Sequence, residues 1–536
     1  MLQPSAYPDT FARDHLPPRE QWPVFNPPPL DGSCGLYPAR MNAAAELIDR
    51  AIAAGHGARP AVASLTEQWS YADLNDRANR IAAVLVDAGL VPGNRVLLRG
   101  ANSPMFAACW LAVVKAGGIV VATMPLLRAR ELRYVIDKAR IAFALCDAAL
   151  RGELDAVGAP LTALYYNDAG ADGLAARMAR QSGAFDPVIA SQDDVALIAF
   201  TSGTTGNAKG TMHFHRDLLA ICDMWQPLLN TTPDDVFAGS APFAFTFGLG
   251  AMLLFPLRHG ASSVLLEQAT PPALLEAIAR RKVTTLFTVP TLYKTMTPLV
   301  AQHDLASLKT CVSSGEHLPA AVWEQWHRAT GHRIRNSIGS TEMLHAFLAM
   351  RAGEAAPGPC GRPLPGCEAR VVDEAMNTVP PGIVGKLAVR APTGCRYLDD
   401  AARQHTYVRD GWNLTGDAFT QDEAGLFWYH ARTDDMIVSS GYNISGAEVE
   451  EVLLDHPAVA ECAVVGVADA ARGQIVKAFI VLSPGVAGDA TLTQALQDTV
   501  RNTIAPYKYP RAIEYRAAPP RTVTGKIQRN ALRAEG

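Results

Sequence analysis

The run Thr201-Ser202-Gly203-Thr204-Thr205-Gly206-Asn207-Ala208-Lys209-Gly210 places four hydroxyls, three glycines and one lysine in a row. Glycines let a backbone turn tightly and approach a polyanion, hydroxyls donate to its oxygens, and the lysine adds positive charge. The run follows the apolar stretch 196–200, which reads as a buried strand. It is not a Walker loop, because Ala208 stands where that form needs the glycine before Lys209. A plain surface loop shares the Ser/Thr/Gly composition, but the density of donors behind a buried strand favours phosphate binding. Other chemistries find less support. His213 and His215 lack a third ligand at metal spacing, and there is no His-Glu-x-x-His and no Gly-x-Ser-x-Gly elbow. Gly248-Leu249-Gly250 lacks the third glycine of a dinucleotide fingerprint.

The elements that must hold such a loop are legible in the hydrophobic pattern. Helical spacing over 43–55 and 71–90 alternates with short apolar runs such as 95–100, 117–124, 143–146, 262–267, 284–289 and 309–314. That alternation marks α/β layers with largely parallel sheets. Between Pro380 and Val389 it loosens into Gly/Pro turns and short strands, predicting a β-rich subdomain. From Asp434 onward the pattern restarts as a compact α+β module. Ser445-Gly446-Ala447-Glu448 reads as a capping box opening a helix, and Leu496, Val500 and Ile504 recur four apart. The expected division is a proline-rich arm over 1–40, a large domain over 41–433 and a small one over 434–536.

Composition narrows the partners. The 536 residues carry 48 Lys+Arg against 52 Asp+Glu, a net charge of −4, which argues against bulk electrostatic binding of nucleic acid. Nine cysteines without a C-x-x-C pair suit a reduced, cytoplasmic chain. The opening residues have prolines and acids where a signal peptide would need an apolar run. Val236 to Leu257 holds no charge over 22 positions, long enough to span a bilayer, but its prolines and glycines predict a buried strand, turn and helix. No membrane partner is expected.

The loop Thr201–Gly210 closely resembles the phosphate loop of the adenylate-forming superfamily of acyl- and aryl-CoA ligases, luciferases and peptide-synthetase adenylation domains. Its companions occur in that family's order. Residues 336–342, Asn-Ser-Ile-Gly-Ser-Thr-Glu, resemble the adenine and magnesium motif; 414–417, Leu-Thr-Gly-Asp, the ribose motif; 432–435, Arg-Thr-Asp-Asp, the hinge; and 524–526, Thr-Gly-Lys, the C-terminal lysine motif. The implied fold is α/β: a large N-terminal domain of layered, mostly parallel sheets with a β-rich subdomain, plus a small mobile α+β C-terminal domain.

The resemblance implies that a carboxylate attacks the α-phosphate of ATP, expels pyrophosphate and is then passed to coenzyme A. Thr201, Ser202, Gly203, Thr204, Thr205 and Lys209 would hold phosphates, with Lys526 and Thr341 at the reacting groups and Glu342 ligating Mg²⁺ together with Thr204. Gly315, Glu316, Asn336, Ile338 and Gly339 would border the adenine; Ile338 stands where the family often has Tyr, replacing ring stacking by aliphatic packing. Asp417 would take the ribose hydroxyls beside Arg432. Asp434 would be the hinge and Gly441 would line the CoA channel. Residues 241–267, 339–347 and the opening 9–18 resemble the aryl-CoA ligase branch, chiefly 2-aminobenzoate-CoA and, less closely, benzoate-CoA ligases. That implies a slot for a flat ring lined by Thr246, Phe247, Gly248 and Ser340, with His345 near the ring or carboxylate. The rivals are an enzyme loading a carrier protein and a non-catalytic binder. The oligomeric state is open.

Overall fold

The apolar runs become strands buried on both faces. Arg95–Arg99, Ile119–Thr123 and Phe143–Asp147 form the parallel centre of a six-stranded sheet. Thr162–Tyr166 closes one edge; Val195–Thr201 and the antiparallel Lys209–Phe214 close the other. Side chains alternate faces along a strand, so Val96, Leu98 and Val120 enter one core while Leu97, Ile119 and Val121 enter another. The structure is a computed structural model and describes all residues except 1–2, 29–36, 202–207, 434, 440–441, 470–471, 505, 523–524 and 536.

A nine-stranded sheet carries Ile334–Gly339, Thr310–Ser313, Thr285–Thr288, Val236–Gly239 and Ser262–Val264 in parallel, with antiparallel strands at its ends. The helix Pro104–Lys115 is apolar nearly all round because it lies between the two sheets. Its Phe106 and Trp110 share one core with Val96 of the first sheet and Phe287 of the second. Its single charge, Lys115, is fully buried and is satisfied by Asp49 at 2.7 Å and Asn79 at 2.8 Å. The uncharged span 236–257 is a strand, a turn and a broken helix. Among the described residues no helix is long and apolar enough to cross a membrane.

An antiparallel sheet follows, built from Glu368–Val372, Gly385–Arg390, Val408–Arg409, Trp412–Gln421 and Phe427–Arg432. The separate C-terminal domain pairs the hairpin strands Val459–Asp469 and Gly473–Leu482 with Ala512–Tyr515, and packs the helices Gly446–Leu454 and Ala490–Thr503 on them. Leu496 and Val500 are fully buried there, and Ile504 packs on the same core. The capping box is only half made. Ser445 Oγ accepts from the Glu448 N–H at 3.3 Å, but the Glu448 carboxylate turns to Lys508 at 2.6 and 2.7 Å instead of returning to the cap.

Residues 3–28 strap the first sheet to the antiparallel one. The Ala6 N–H donates to Asp194 at 3.0 Å, Asp9 pairs with Arg95 at 2.5 Å, and the Asn26 N–H donates to the Ala391 carbonyl at 3.1 Å.

Candidate active site

In open α/β sheets, functional loops gather at the carboxyl ends of the strands. Here the parallel strands 236–239, 310–313 and 334–339 end in the segments carrying Thr246 and Phe247, Gly315 and Glu316, and Ser340 to Glu342. Gly339 is where the last of these strands bulges against Ala346–Ala349. A Cβ there would lie 2.4 Å from the Ala346 Cα and 2.4 Å from the His345 carbonyl oxygen, both backbone. Gly339→Ala is therefore expected to destabilise the fold by about 1–3 kcal/mol, read by urea unfolding.

The phosphate-loop lysine meets the predicted metal carboxylate. Thr201 and Lys209 are partners across the antiparallel pair at the sheet edge, while Ser202, Gly203, Thr204 and Thr205 lie outside the described residues. Lys209 Nζ lies 2.5 Å from Glu342 Oε1, and the Tyr397 hydroxyl donates to the same oxygen at 2.7 Å. Lys209 also donates to the Tyr397 hydroxyl at 3.1 Å. Burial alone would raise the Glu342 carboxyl pKa, but the Lys209 charge and hydrogen bond, with that of Tyr397, hold it below the usual carboxylate value. Burial and the nearby carboxylate push the Tyr397 phenol far up, so it stays a donor. Ser340 caps the short turn Thr341–Met343, and His213 Nε2 donates to the Thr341 carbonyl at 2.9 Å. Burial drives the His213 pKa down to about 3, so the ring is neutral.

Sequence reasoning missed Tyr397. It is separated from Glu342 by 55 positions and from Lys209 by 188, and no local pattern links them. Arg396 and Asp217, fully buried and ion-paired beneath it, were missed for the same reason.

The nucleotide side is built on strand register. Asp417 and Arg432 are directly opposite across the antiparallel pair, with Arg432 Nη1 donating to Asp417 Oδ1 at 2.9 Å. Gly416 takes φ 77°, and a Cβ there would lie 2.6 Å from Arg432 Nη2. Burial raises the Asp417 carboxyl pKa even though Arg432 opposes it. One Asp417 oxygen is thus engaged by Arg432. Asn336 Nδ2 donates to the Pro359 carbonyl at 3.1 Å, and Ile338 packs beside Met343, Phe347 and Leu348. Glu316 is exposed and accepts from Thr291 at 2.8 Å.

Lys526 comes from the other domain to the same place. The charges felt by its ammonium are those of Glu316, Arg432 and Asp417. Crowding in the cleft lowers its pKa, outweighing Glu316 and Asp417, although part of the side chain still meets water. The small domain is held there by Glu451, which accepts from the Ala320 N–H at 3.3 Å, and by Lys294, which donates to the Ala460 carbonyl at 3.4 Å. Asp434 and Gly441 lie outside the described residues.

The predicted slot is a wall of rings. Phe247, half-buried, lies 5.6 Å from His345, which stands 4.7 Å from Phe255 and 5.7 Å from Trp225. Thr246 and Gly248 are buried at the start of the same helix. His345 stands among these rings. Its Nδ1 accepts from Trp225 Nε1 at 3.0 Å, its Nε2 faces the Phe247 carbonyl at 3.3 Å, and burial drives its pKa to about 3. Both nitrogens are committed within the protein, so the ring is a neutral wall with no polar contact to spare for an acid.

A model of the AMP-binding enzyme family matches residues 49–396, and one of the AMP-binding enzyme C-terminal domain matches 448–526. The chain is 36% identical over 514 residues to a benzoate–CoA ligase of Thauera aromatica, covering 93% of this chain and 96% of the relative. It is 32% identical over 517 residues to a 3-hydroxybenzoate–CoA ligase of Aromatoleum sp. (strain CIB), covering 92% and 96%. Among solved structures, that of the anthranilate CoA ligase AuaEII in complex with anthranoyl-AMP is similar, with a TM-score of 0.88 and 32% identity over 93% of this chain and 98% of that one.

Proposed function

Since this chain belongs to the AMP-binding enzyme family, we propose that its acid is an aromatic carboxylic acid, 2-aminobenzoate first and benzoate second. As a member of that family it is an acid–thiol ligase that forms AMP. The observation that carries the mechanistic reading is Lys526 standing in the field of Glu316, Asp417 and Arg432, so that two domains share one anionic-substrate cleft.

An oxygen of the acid attacks the α-phosphorus of ATP, the bond to pyrophosphate breaks, and an aryl-adenylate remains. The thiol of coenzyme A then attacks the carbonyl carbon and AMP leaves. Both first reactants are anionic, so cations placed in advance at the phosphates do most of the work. Lys209 and the loop from Thr201 take the β- and γ-phosphates, Thr341 the α-phosphate, and Lys526 bridges that phosphate and the carboxylate. The Asp417 carboxylate accepts from the ribose, with Arg432 fixing its orientation.

Mg²⁺ fits the donors present. Among the described residues, Lys209 and Tyr397 both bind Glu342 at Oε1, leaving Oε2 as a hard ligand beside phosphate and water. When bound, the ion neutralises charge on the phosphate oxygens. The hinge at Asp434, the CoA channel at Gly441 and the division into 1–40, 41–433 and 434–536 rest on the sequence resemblance.

The ring wall argues about substituents. An ortho amino group can donate to its own carboxylate and needs no partner from the protein. A 3- or 4-hydroxyl facing the committed His345 would be stranded, at about 1–3 kcal/mol, with roughly a tenfold loss of rate for each 1.4 kcal/mol. Pyrophosphate release with Mg²⁺ and CoA is therefore expected to rank 2-aminobenzoate and benzoate at least about tenfold above the 3- and 4-hydroxybenzoates in kcat/KM. A preference for short fatty acids sinks the aryl reading. Product mass spectrometry with CoA or a carrier protein as acceptor identifies the thiol.

A further inference from the structure

Lys209 serves two masters in this site. Its ammonium is the ion partner of Glu342 at 2.5 Å, and it is also the cation of the loop that takes the polyphosphate. One ammonium cannot hold the carboxylate and turn to the β- and γ-phosphates with full strength at both. When ATP draws it away, Glu342, which is 5% exposed, loses its ion partner. The metal then compensates its charge, but without Lys209 the carboxylate has lost one of the two groups that fix its rotation toward that metal. The Tyr397 hydroxyl is the remaining donor on Oε1 among the described side chains, at 2.7 Å.

We propose that Tyr397 is a positioning residue: its hydroxyl holds the Glu342 carboxylate in metal-binding orientation while Lys209 engages the phosphates. The proposal rests on the adenylation reading above. Tyr397 is well anchored for the task. It is 1% exposed, its N–H donates to Gln404 Oε1 at 2.9 Å, and its ring meets Tyr407 edge-on at 5.8 Å. Its neighbour Arg396 is fully buried and ion-paired to Asp217. The ring also lies 5.4 Å from Lys209 Nζ, so removal of the hydroxyl keeps the ring under the lysine and costs Lys209 only the hydrogen bond it donates to that oxygen at 3.1 Å.

The test is Tyr397→Phe, with ATP binding titrated calorimetrically at stepped Mg²⁺ concentrations in the absence of acid and CoA. The Mg²⁺ needed for half-maximal ATP binding is expected to rise about tenfold, as for loss of a hydrogen bond to a charged group. The KM for the aromatic acid stays unchanged. In the Glu342→Gln background the same substitution adds no further loss, because Tyr397 acts through that carboxylate. Wild-type Mg²⁺ dependence in Tyr397→Phe overturns the proposal, as does an equal loss in the Glu342→Gln background. Melting curves without ligand accompany each variant. A Tyr397→Phe chain that does not fold shows that the hydroxyl serves the fold, and also overturns it. Wild-type protein that binds no ATP at any Mg²⁺ concentration overturns the adenylation reading itself, before any substitution is made.

Discussion

Alanine at Lys526 is expected to slow aryl-adenylate formation by about 10²–10³-fold while leaving thioester formation from supplied aryl-adenylate nearly intact. The split follows from where the charge is needed. In the first step a carboxylate approaches the α-phosphate, and negative charge spreads over the phosphate oxygens. On the proposed reading Lys526 is the cation that the small domain supplies there, its ammonium lying in the field of Glu316, Arg432 and Asp417. In the second step a thiol attacks the carbonyl carbon of the mixed anhydride, and no carboxylate has to be brought up against the phosphate. The pH dependence has the same origin. Crowding lowers the Lys526 pKa, so the charged form is lost on raising the pH sooner than for an ordinary lysine. Adenylation therefore declines at alkaline pH as the solution passes through that lowered value, and the decline is absent from the Lys526→Ala residue of activity. Stopped-flow release of pyrophosphate measures the first step, and thioester formation from synthetic adenylate the second. Equal loss of both steps contradicts the assignment.

The layers of the fold were legible because they are local. Runs such as 96–98 and 119–122 are apolar at every position, and only strands buried on both faces need that. The uncharged span 236–257 is not one helix because it opens with the strand Val236–Gly239 and a turn holding Pro242, so helical residues begin only at Thr246. The site was legible to the extent that its residues sit in short motifs whose order could be read: Lys209, Glu342, Asp417 and Lys526. What could not be read was how those motifs grip one another. His345 carries the same side chain whether it binds a ligand or a tryptophan; its role is set by Trp225, 120 positions away. Asp417 looks like a free carboxylate until strand register places Arg432 opposite it. Tyr397 offers no charge and no motif by which to be noticed, yet it ties the loop lysine to the metal carboxylate. Glu448 fits a capping box until a lysine sixty positions on competes for it.

Asp217→Ala is expected to be among the most damaging single changes in the chain, although Asp217 touches no substrate. The carboxylate is fully buried, caps the helix His215–Leu229 by accepting from the Phe214 N–H at 2.9 Å, and ion-pairs with Arg396. Arg396 is itself fully buried; its Nε donates to the Met212 carbonyl at 3.2 Å, and its guanidinium lies 3.9 Å from the Phe214 ring centre. Phe25 of the N-terminal arm covers it from the other side at 5.0 Å. Burial already lowers the Arg396 pKa against the pull of Asp217. Without Asp217 the guanidinium keeps its charge and loses its counter-ion, a loss worth about 3–5 kcal/mol. A chain of several domains does not unfold in one step, so the quantity to follow is the midpoint of the first urea transition. It should fall by about 1 M or more. The double change Asp217→Leu with Arg396→Met separates the pair from its packing. Apolar residues of similar size remove the stranded charge, and much of the lost stability should return. If the single variant unfolds at the wild-type midpoint, the pair is not what joins the arm, the helix and the segment carrying Tyr397. If the double variant recovers stability but not Mg²⁺-dependent ATP binding, the buried pair is needed less for folding than for holding Tyr397 beneath Glu342.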